Sequence, residues 1–148
     1  MAAKTHTELS LMDVLGGTRT LGNRVRSPED LAAKIREGLP IEALLAVTKV
    51  MALSQEILAR QLMTTPRTLQ RRKREKALPK SESDQLVRLA RLYQRAVNTL
   101  GSHEDAISWM HHPSIALGDK TPLDLMDTVL GEERVLALLG RIEHGVYS

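Results

Sequence analysis

The chain has 148 residues, a formal net charge of +3, one Trp, two Tyr and neither Cys nor Phe. The absence of Cys excludes disulfides, thiolate nucleophiles and Cys-ligated zinc, and it is compatible with a reducing cytosol. The core must be aliphatic, which favours packed helices because β-rich domains usually use aromatic and β-branched residues. No run approaches the length of a membrane span and the N-terminus lacks a signal-peptide core, so we expect a soluble, cytoplasmic protein.

Charge is unevenly distributed along the chain. Residues 51–80 hold eight Lys and Arg against two acids, a net of +6, whereas residues 101–148 hold three against eight, a net of −5. A basic surface attracts phosphate backbones, and an acidic surface suits a basic protein partner or no partner. A charge run such as residues 71–76 is also common on a solvated helix face, so both interpretations stay open.

Residues 1–27 form an N-terminal arm in this interpretation. One apolar helical turn ends at Gly16-Gly17, and residues 18–27 have the mixed polarity of a loop. The segment is therefore either a flexible arm or a short docked helix. The apolar turn consists of Leu9, Leu11, Met12 and Leu15.

Residues 28–100 carry repeated helix-start signals. Ser27 is an N-cap candidate with Pro28 in the first helical position, and the helix that follows should end at Gly38. A second helix starts at Pro40 and ends near Ala52. Its buried face follows helical spacing and consists of Ile41, Leu44, Leu45, Thr48 and Met51.

Two short helices and the longest helix complete this region. Ser54 caps a helix of about two turns, and Thr65 with Pro66 starts the next one. Ser81 or Ser83 starts the longest helix, which Gly101 ends. Residues 101–148 then contain a helix over 104–110, a loop over 111–120, a helix opened by Thr121-Pro122, a helix over 132–143 and a tail.

The corner between the two short helices has the features of a helix-turn-helix. Ala59 is the small residue where the helices meet, and Leu69 is the apolar residue that fixes the second helix to the core. The outward side chains suit DNA, because Arg binds guanine, Gln binds adenine, and Thr and Lys meet phosphates. The predicted DNA-binding residues are Thr65, Arg67, Thr68, Gln70, Arg71, Lys73, Arg74 and Lys76.

This corner departs from many helix-turn-helix sequences at three positions. Met63 stands where Gly is common, so we expect a turn that avoids a strongly positive φ, with a changed interhelical angle or strain. Thr64 and Arg72 stand where apolar residues are common. We expect Arg72 to approach phosphates, partly against the core. A helical corner that does not bind DNA is the alternative.

Taken together, several motifs resemble the Xre/MbcA/ParS antitoxins over roughly residues 40–148. The C-terminal motifs are the more specific ones: Trp-x3-Pro from Trp109, Leu-Gly-x2-Thr-Pro-Leu-Asp-Leu from Leu117 and Arg-Ile-x2-Gly-Val-Tyr from Arg141. Further matching segments are Arg67-Thr68-Leu69-Gln70-Arg71-Arg72, Ser83-Asp84-Gln85-Leu86, Ala106-Ile107-Ser108-Trp109-Met110 and Gly131.

The resemblance implies an all-α protein with an Xre/Cro-like helix-turn-helix region over residues 28–100 and a small helical toxin-binding domain over residues 101–148. It implies an antitoxin that neutralises a RES-domain, NAD-consuming toxin and represses its own operon. A single short helix reads a half-site weakly, so we expect a homodimer on an inverted-repeat operator. A helix-turn-helix regulator or a helical interaction module without a toxin partner is the alternative.

The resemblance places the inhibitory contact at the C-terminal end of the chain. Trp109 either fills the small C-terminal core or lines the partner surface at one edge. Tyr147 belongs to no apolar stripe, which favours partner contact. The predicted toxin-binding residues are Trp109, Arg141, His144, Gly145, Val146, Tyr147 and Ser148.

Enzymatic chemistry has little support in the sequence. The five His residues show no His-x3-His or His-Glu-x2-His spacing, and no glycine-rich phosphate loop is present. Asp124 and Asp127 share a helix and could ligate an ion, but capping and the helix dipole explain acids after Thr121-Pro122. We therefore expect no catalytic residue, no metal site, no cofactor and no enzymatic activity.

Overall fold

The computed structural model describes residues 8–145. Within that range the chain forms nine α-helices and two short 3₁₀ helices, and no strand. The all-α prediction is confirmed. In chain order the elements are α1 Leu11–Val14, α2 Gly17–Leu21, α3 Pro28–Glu37, α4 Ile41–Val50, α5 Gln55–Gln61, α6 Pro66–Glu75, α7 Lys80–Leu100, α8 His103–His111, the 3₁₀ helices Ile115–Leu117 and Leu123–Asp127, and α9 Val129–Glu143.

Three predicted N-caps are confirmed by their hydrogen bonds. The hydroxyl of Ser27 accepts from the Asp30 amide at 3.1 Å, and that of Ser54 accepts from the Ile57 amide at 3.2 Å. Thr65 accepts from the Thr68 amide at 3.1 Å and so begins α6. Each cap satisfies one of the backbone donors that a helix start leaves without a partner.

The predicted loop over residues 18–27 is wrong, because α2 occupies its first part. Leu21 and Val25 are buried, and Leu15 is fully buried. The described part of the N-terminal segment is therefore docked, and α1 packs against α7 and α4. Asn98 also holds the segment, since its side-chain oxygen accepts from the Leu9 amide at 3.0 Å.

The start of α7 differs from the prediction as well. Lys80 is its first residue and Pro79 its N-cap, so neither Ser81 nor Ser83 begins it. Ser83 is fully buried, and its hydroxyl accepts from the Leu39 amide at 2.8 Å. A buried backbone N–H needs such a partner, so Ser83 joins α7 to the α3–α4 connection instead of capping a helix.

Other predicted bounds in the C-terminal half also shift. Thr121-Pro122 opens a 3₁₀ helix, and α9 starts at Val129, three residues before the predicted Glu132, because the Thr128 hydroxyl accepts from the Gly131 amide at 3.0 Å. In α4, Leu45 is 48% exposed and does not belong to the buried face.

One aliphatic core runs through the described part of the chain, with α7 along its centre. This helix packs against α1, α3, α4, α8 and α9. Leu86, Leu89 and Leu92 are at most 2% exposed. The long helix therefore packs against helices of both the N-terminal and the C-terminal regions. None of the helices described is long and apolar enough to cross a bilayer.

Candidate DNA-binding and partner interfaces

The corner between α5 and α6 has the geometry of a helix-turn-helix. Ala59 is 2% exposed and Leu69 is fully buried, which confirms their predicted places. The Thr64 amide donates to the Ala59 carbonyl at 2.8 Å and closes the end of α5. Met63 has φ of 59°, so the expectation that its turn avoids a positive φ is wrong. Met63 is 75% exposed, so its side chain extends into solvent.

The predicted DNA-binding residues lie on or beside the outer face of α6. Most are exposed, while Thr68 and Lys73 are half-buried. Thr65 has a second role, because its hydroxyl caps the helix and lies 3.1 Å from the Thr68 hydroxyl. The exposed ones are Thr65, Arg67, Gln70, Arg71, Arg74 and Lys76.

Arg72 faces away from this surface. Its Nε lies 3.1 and 3.2 Å from the two carboxylate oxygens of Glu82, and its Nη2 donates to one of them at 2.7 Å. Its Nη1 donates to Glu75 at 3.1 Å. Hydrogen bonding to Glu82 raises the pKa of Arg72 above its ordinary value. Arg72 therefore lies partly against the core, as expected, and its three side-chain nitrogens contact carboxylates, which leaves them less available to a phosphate.

Glu75 also reduces the free charge of α6. Its carboxylate lies 3.3 Å from Nε of Arg71, one turn earlier, in addition to its contact with Arg72. The Arg71–Glu75 pair is about half exposed, so it is weak and open to competition from an external anion. Arg71 remains available to a phosphate, whereas Arg72 is committed within the fold.

The described residues of the predicted toxin-binding set lie in two places. Trp109 is half-buried at the edge of the core. Arg141 is exposed in the last turn of α9, and His144 and Gly145 are exposed directly after it. The other predicted contacts, Val146, Tyr147 and Ser148, lie outside the described residues.

Sequence reasoning missed three exposed apolar side chains in this half. Ile115 is 91% exposed, and Val129 and Leu130 at the start of α9 are 61% and 72% exposed. The signal was available in the sequence, since an apolar pair directly after the Thr128 cap lies outside the i, i+3, i+4 pattern of the buried α9 residues. Exposed large apolar side chains favour contact with a protein partner.

Polar contacts connect the corner to the C-terminal half. The Gln61 side chain, at the end of α5, donates to the Leu123 carbonyl at 2.7 Å. Gln85 of α7 donates to the Gln61 carbonyl at 3.3 Å and accepts from Arg88 at 2.5 Å. Arg88 in turn donates from Nε to Glu132 of α9 at 2.8 Å. The two halves are therefore joined by side chains that α7 carries at three-residue spacing.

Beside these contacts a cleft of about 490 Å³ separates α5 from the second 3₁₀ helix. Asp124 lines it, but its carboxylate also accepts from the Thr121 amide at 3.2 Å, and the Thr121 hydroxyl accepts from the Asp124 amide at 3.0 Å. This reciprocal pair is a capping box, which supports the capping interpretation of Asp124 over ion ligation.

The fold and the corner define a helix-turn-helix protein that carries a second helical domain on a shared long helix. Residues 30–91 match the antitoxin Xre-like helix-turn-helix domain, and residues 95–145 match the antitoxin Xre/MbcA/ParS C-terminal toxin-binding domain.

Two relatives support the same assignment. An antitoxin Xre of Photorhabdus laumondii is 32% identical over 132 residues, which covers 88% of this chain and 89% of the relative. An antitoxin Xre of Yersinia enterocolitica is 40% identical over 68 residues, which covers 45% of this chain and 46% of the relative. The chain therefore belongs to the Xre antitoxin family, which confirms the resemblance. Membership assigns it a regulatory and binding role and not an enzymatic one.

Proposed function

We propose that this antitoxin neutralises a RES-domain, NAD-consuming toxin and represses its own operon through α6. The observation that carries the DNA part is the exposed basic face of α6, directly after a helix-turn-helix corner. Five basic residues of α6 and its C-cap make no ion pair with Glu82. They are Arg67, Arg71, Lys73, Arg74 and Lys76.

The N-terminal part of α6 carries the side chains that contact bases. Arg67 and Gln70 are exposed there, and both residue types make bidentate contacts to purines in a major groove. One short helix specifies a half-site only, so the working form is a homodimer on an inverted repeat, in the cytoplasm where the operon lies.

A protein partner for the C-terminal half is supported by three features. The matched toxin-binding domain has a net charge of opposite sign to the corner, exposed apolar side chains at Ile115, Val129 and Leu130, and exposed polar groups at the end of α9. Exposed large apolar side chains favour contact with a protein partner. We place the inhibitory contact at residues 141–148, with Trp109 at its edge.

A salt titration tests the DNA part. If the four basic residues other than Arg67 meet phosphates, log affinity for the DNA upstream of the operon falls against log salt with a slope of about −3.6 per protomer. A lack of salt-sensitive binding to that DNA contradicts the repressor role.

A purification experiment tests the toxin part. The RES-domain protein encoded beside the antitoxin should co-purify with it and should consume NAD only after the antitoxin is removed. A RES protein that neither co-purifies nor is inhibited contradicts the toxin assignment, and leaves a helix-turn-helix regulator without a toxin partner.

A further inference from the structure

The inward face of α6 has an unusual composition for a helix packed on an aliphatic core. Among its ten residues, all within the described range, only Leu69 is buried. One turn further, the Arg72 side chain is 16% exposed and contacts Glu82, whose side chain is 8% exposed. Its C-cap carbonyl, that of Lys76, accepts from the Ile41 amide at 3.0 Å, and the side-chain contacts that the helix buries are therefore Leu69 and this ion pair.

These two contacts fix different aspects of the helix. Leu69 sets the distance of α6 from the core, but one apolar side chain does not by itself fix the rotation of a helix about its axis. The planar guanidinium of Arg72 contacts both carboxylate oxygens of Glu82. This fork geometry also fixes the direction in which the Arg72 side chain leaves α6. Glu82 lies in the first turn of α7, the central helix of the core, so its own place is well defined.

We propose that Arg72 and Glu82 are positioning residues that set the rotation and tilt of α6, and hence the aim of its base-reading side chains. This inference rests on the proposed reading of DNA by α6. Arg72 itself makes no DNA contact, because a phosphate would have to displace a carboxylate from it. It takes the place of the apolar residue that many helix-turn-helix sequences have there.

Two variants separate a positioning role from a phosphate contact. Arg72→Lys keeps the charge but loses the fork, since an ammonium is a point charge. Arg72→Met with Glu82→Leu replaces the pair by apolar side chains and leaves no carboxylate buried alone. Lys73→Gln, at the next position, is the matched control for a phosphate contact. Circular dichroism melting checks that each variant is folded at the assay temperature.

Operator and random-sequence DNA are then titrated at several salt concentrations. We expect both Arg72 variants to lose roughly tenfold or more in operator affinity, because misdirected bidentate contacts are lost. Their affinity for random DNA and their salt slope should stay near wild type. Lys73→Gln should weaken binding to operator and random DNA equally, and its log affinity should depend on log salt with a slope shallower by about 0.9 per protomer.

Two results would overturn the inference. If Arg72→Lys keeps wild-type operator affinity and the double variant loses slope, Arg72 is a phosphate contact. If both variants keep wild-type operator affinity, the pair only stabilises the fold.

A measurement without DNA keeps the inference separate from the proposed function. Backbone residual dipolar couplings report the orientation of α6 relative to α7. We expect this orientation to change in the double variant, and an unchanged orientation would overturn the positioning role even if the wild-type protein had no operator preference.

Discussion

Arg88 of α7 holds Glu132 in the first turn of α9, with Nε and Nη2 at 2.8 and 2.6 Å from the same carboxylate oxygen. The two side chains are 25% and 14% exposed. One turn earlier on α7, Gln85 holds the end of α5. The helix that supports the DNA-reading corner thus also holds the toxin-binding half, and the two halves share one core.

Removal of this pair should loosen the C-terminal half. Arg88→Met leaves Glu132 without its charged partner, and we expect a loss of about 1.5–3 kcal/mol in the free energy of unfolding. Arg95→Ala is the control, because its pair with Glu143 is about half exposed at 3.8 Å and should contribute less than about 1 kcal/mol. Urea unfolding measures both. Equal losses in the two variants would contradict the view that Arg88 joins the halves.

Alanine substitutions at two glycines of α9 should change the stability of the protein in opposite directions. A Cβ at Gly131 would lie 2.0 Å from the Leu125 carbonyl oxygen, whereas a Cβ at Gly140 meets nothing within 4 Å. Gly131→Ala should therefore cost about 1–3 kcal/mol through overpacking. Gly140→Ala should stabilise by about 0.5–1 kcal/mol, because glycine weakens a helix interior. Thermal melts of the two variants give the comparison, and a tolerated Gly131→Ala would contradict the close packing of α9 on the second 3₁₀ helix.

Replacement of Met63 by glycine should stabilise the protein. Its φ of 59° is a left-handed conformation that costs an L-residue about 1–2 kcal/mol, and its side chain is exposed. After the entropy cost of glycine, Met63→Gly should be more stable than Met63→Ala by about 0.5–1 kcal/mol. Chemical denaturation of both variants tests this, and an alanine variant as stable as the glycine variant would show that the turn carries no strain.

Tyr93 should make stability depend on alkaline pH. Burial raises the pKa of its phenol above 10.0, and the Glu104 charge acts in the same direction. Since the unfolded chain ionises first, the contribution of the neutral phenol is complete below about pH 10 and is lost as pH rises through the higher folded pKa. Tyr93→Phe should lack this loss, which denaturation at pH 9 and pH 11 measures. A titration at 295 nm in a Tyr147→Phe background should show the raised pKa of Tyr93. A Tyr93 pKa at its ordinary value would contradict this prediction.

The sequence was informative where local chemistry decides the structure. Ser27, Ser54 and Thr65 cap helices because a hydroxyl before a helical segment satisfies a nearby amide, and that information lies within three residues. Ser83 had the same local signal, but its hydroxyl accepts from Leu39, 44 positions away. Nothing in the local pattern distinguishes these two uses of a serine.

The candidate site divides in the same way. The outward face of α6 follows from the helical period once Leu69 is placed inward. The role of Arg72 depends on Glu82, which lies beyond the break at Pro79 and on another helix, so its charge suggested phosphate contact instead. The links from Gln61 to Leu123 and from Arg88 to Glu132 are tertiary contacts that no periodicity encodes.

Separation of the two activities by mutation tests the two-surface account most directly. Operator affinity and inhibition of the proposed NAD-consuming toxin are measured on the same preparations of an Arg67→Ala, Gln70→Ala variant and of a chain lacking residues 144–148. The first variant should lose sequence preference and still inhibit the toxin, and the second should bind operator and release the toxin. A folded first variant that no longer inhibits, or a truncated chain that inhibits as well as wild type, would contradict the account.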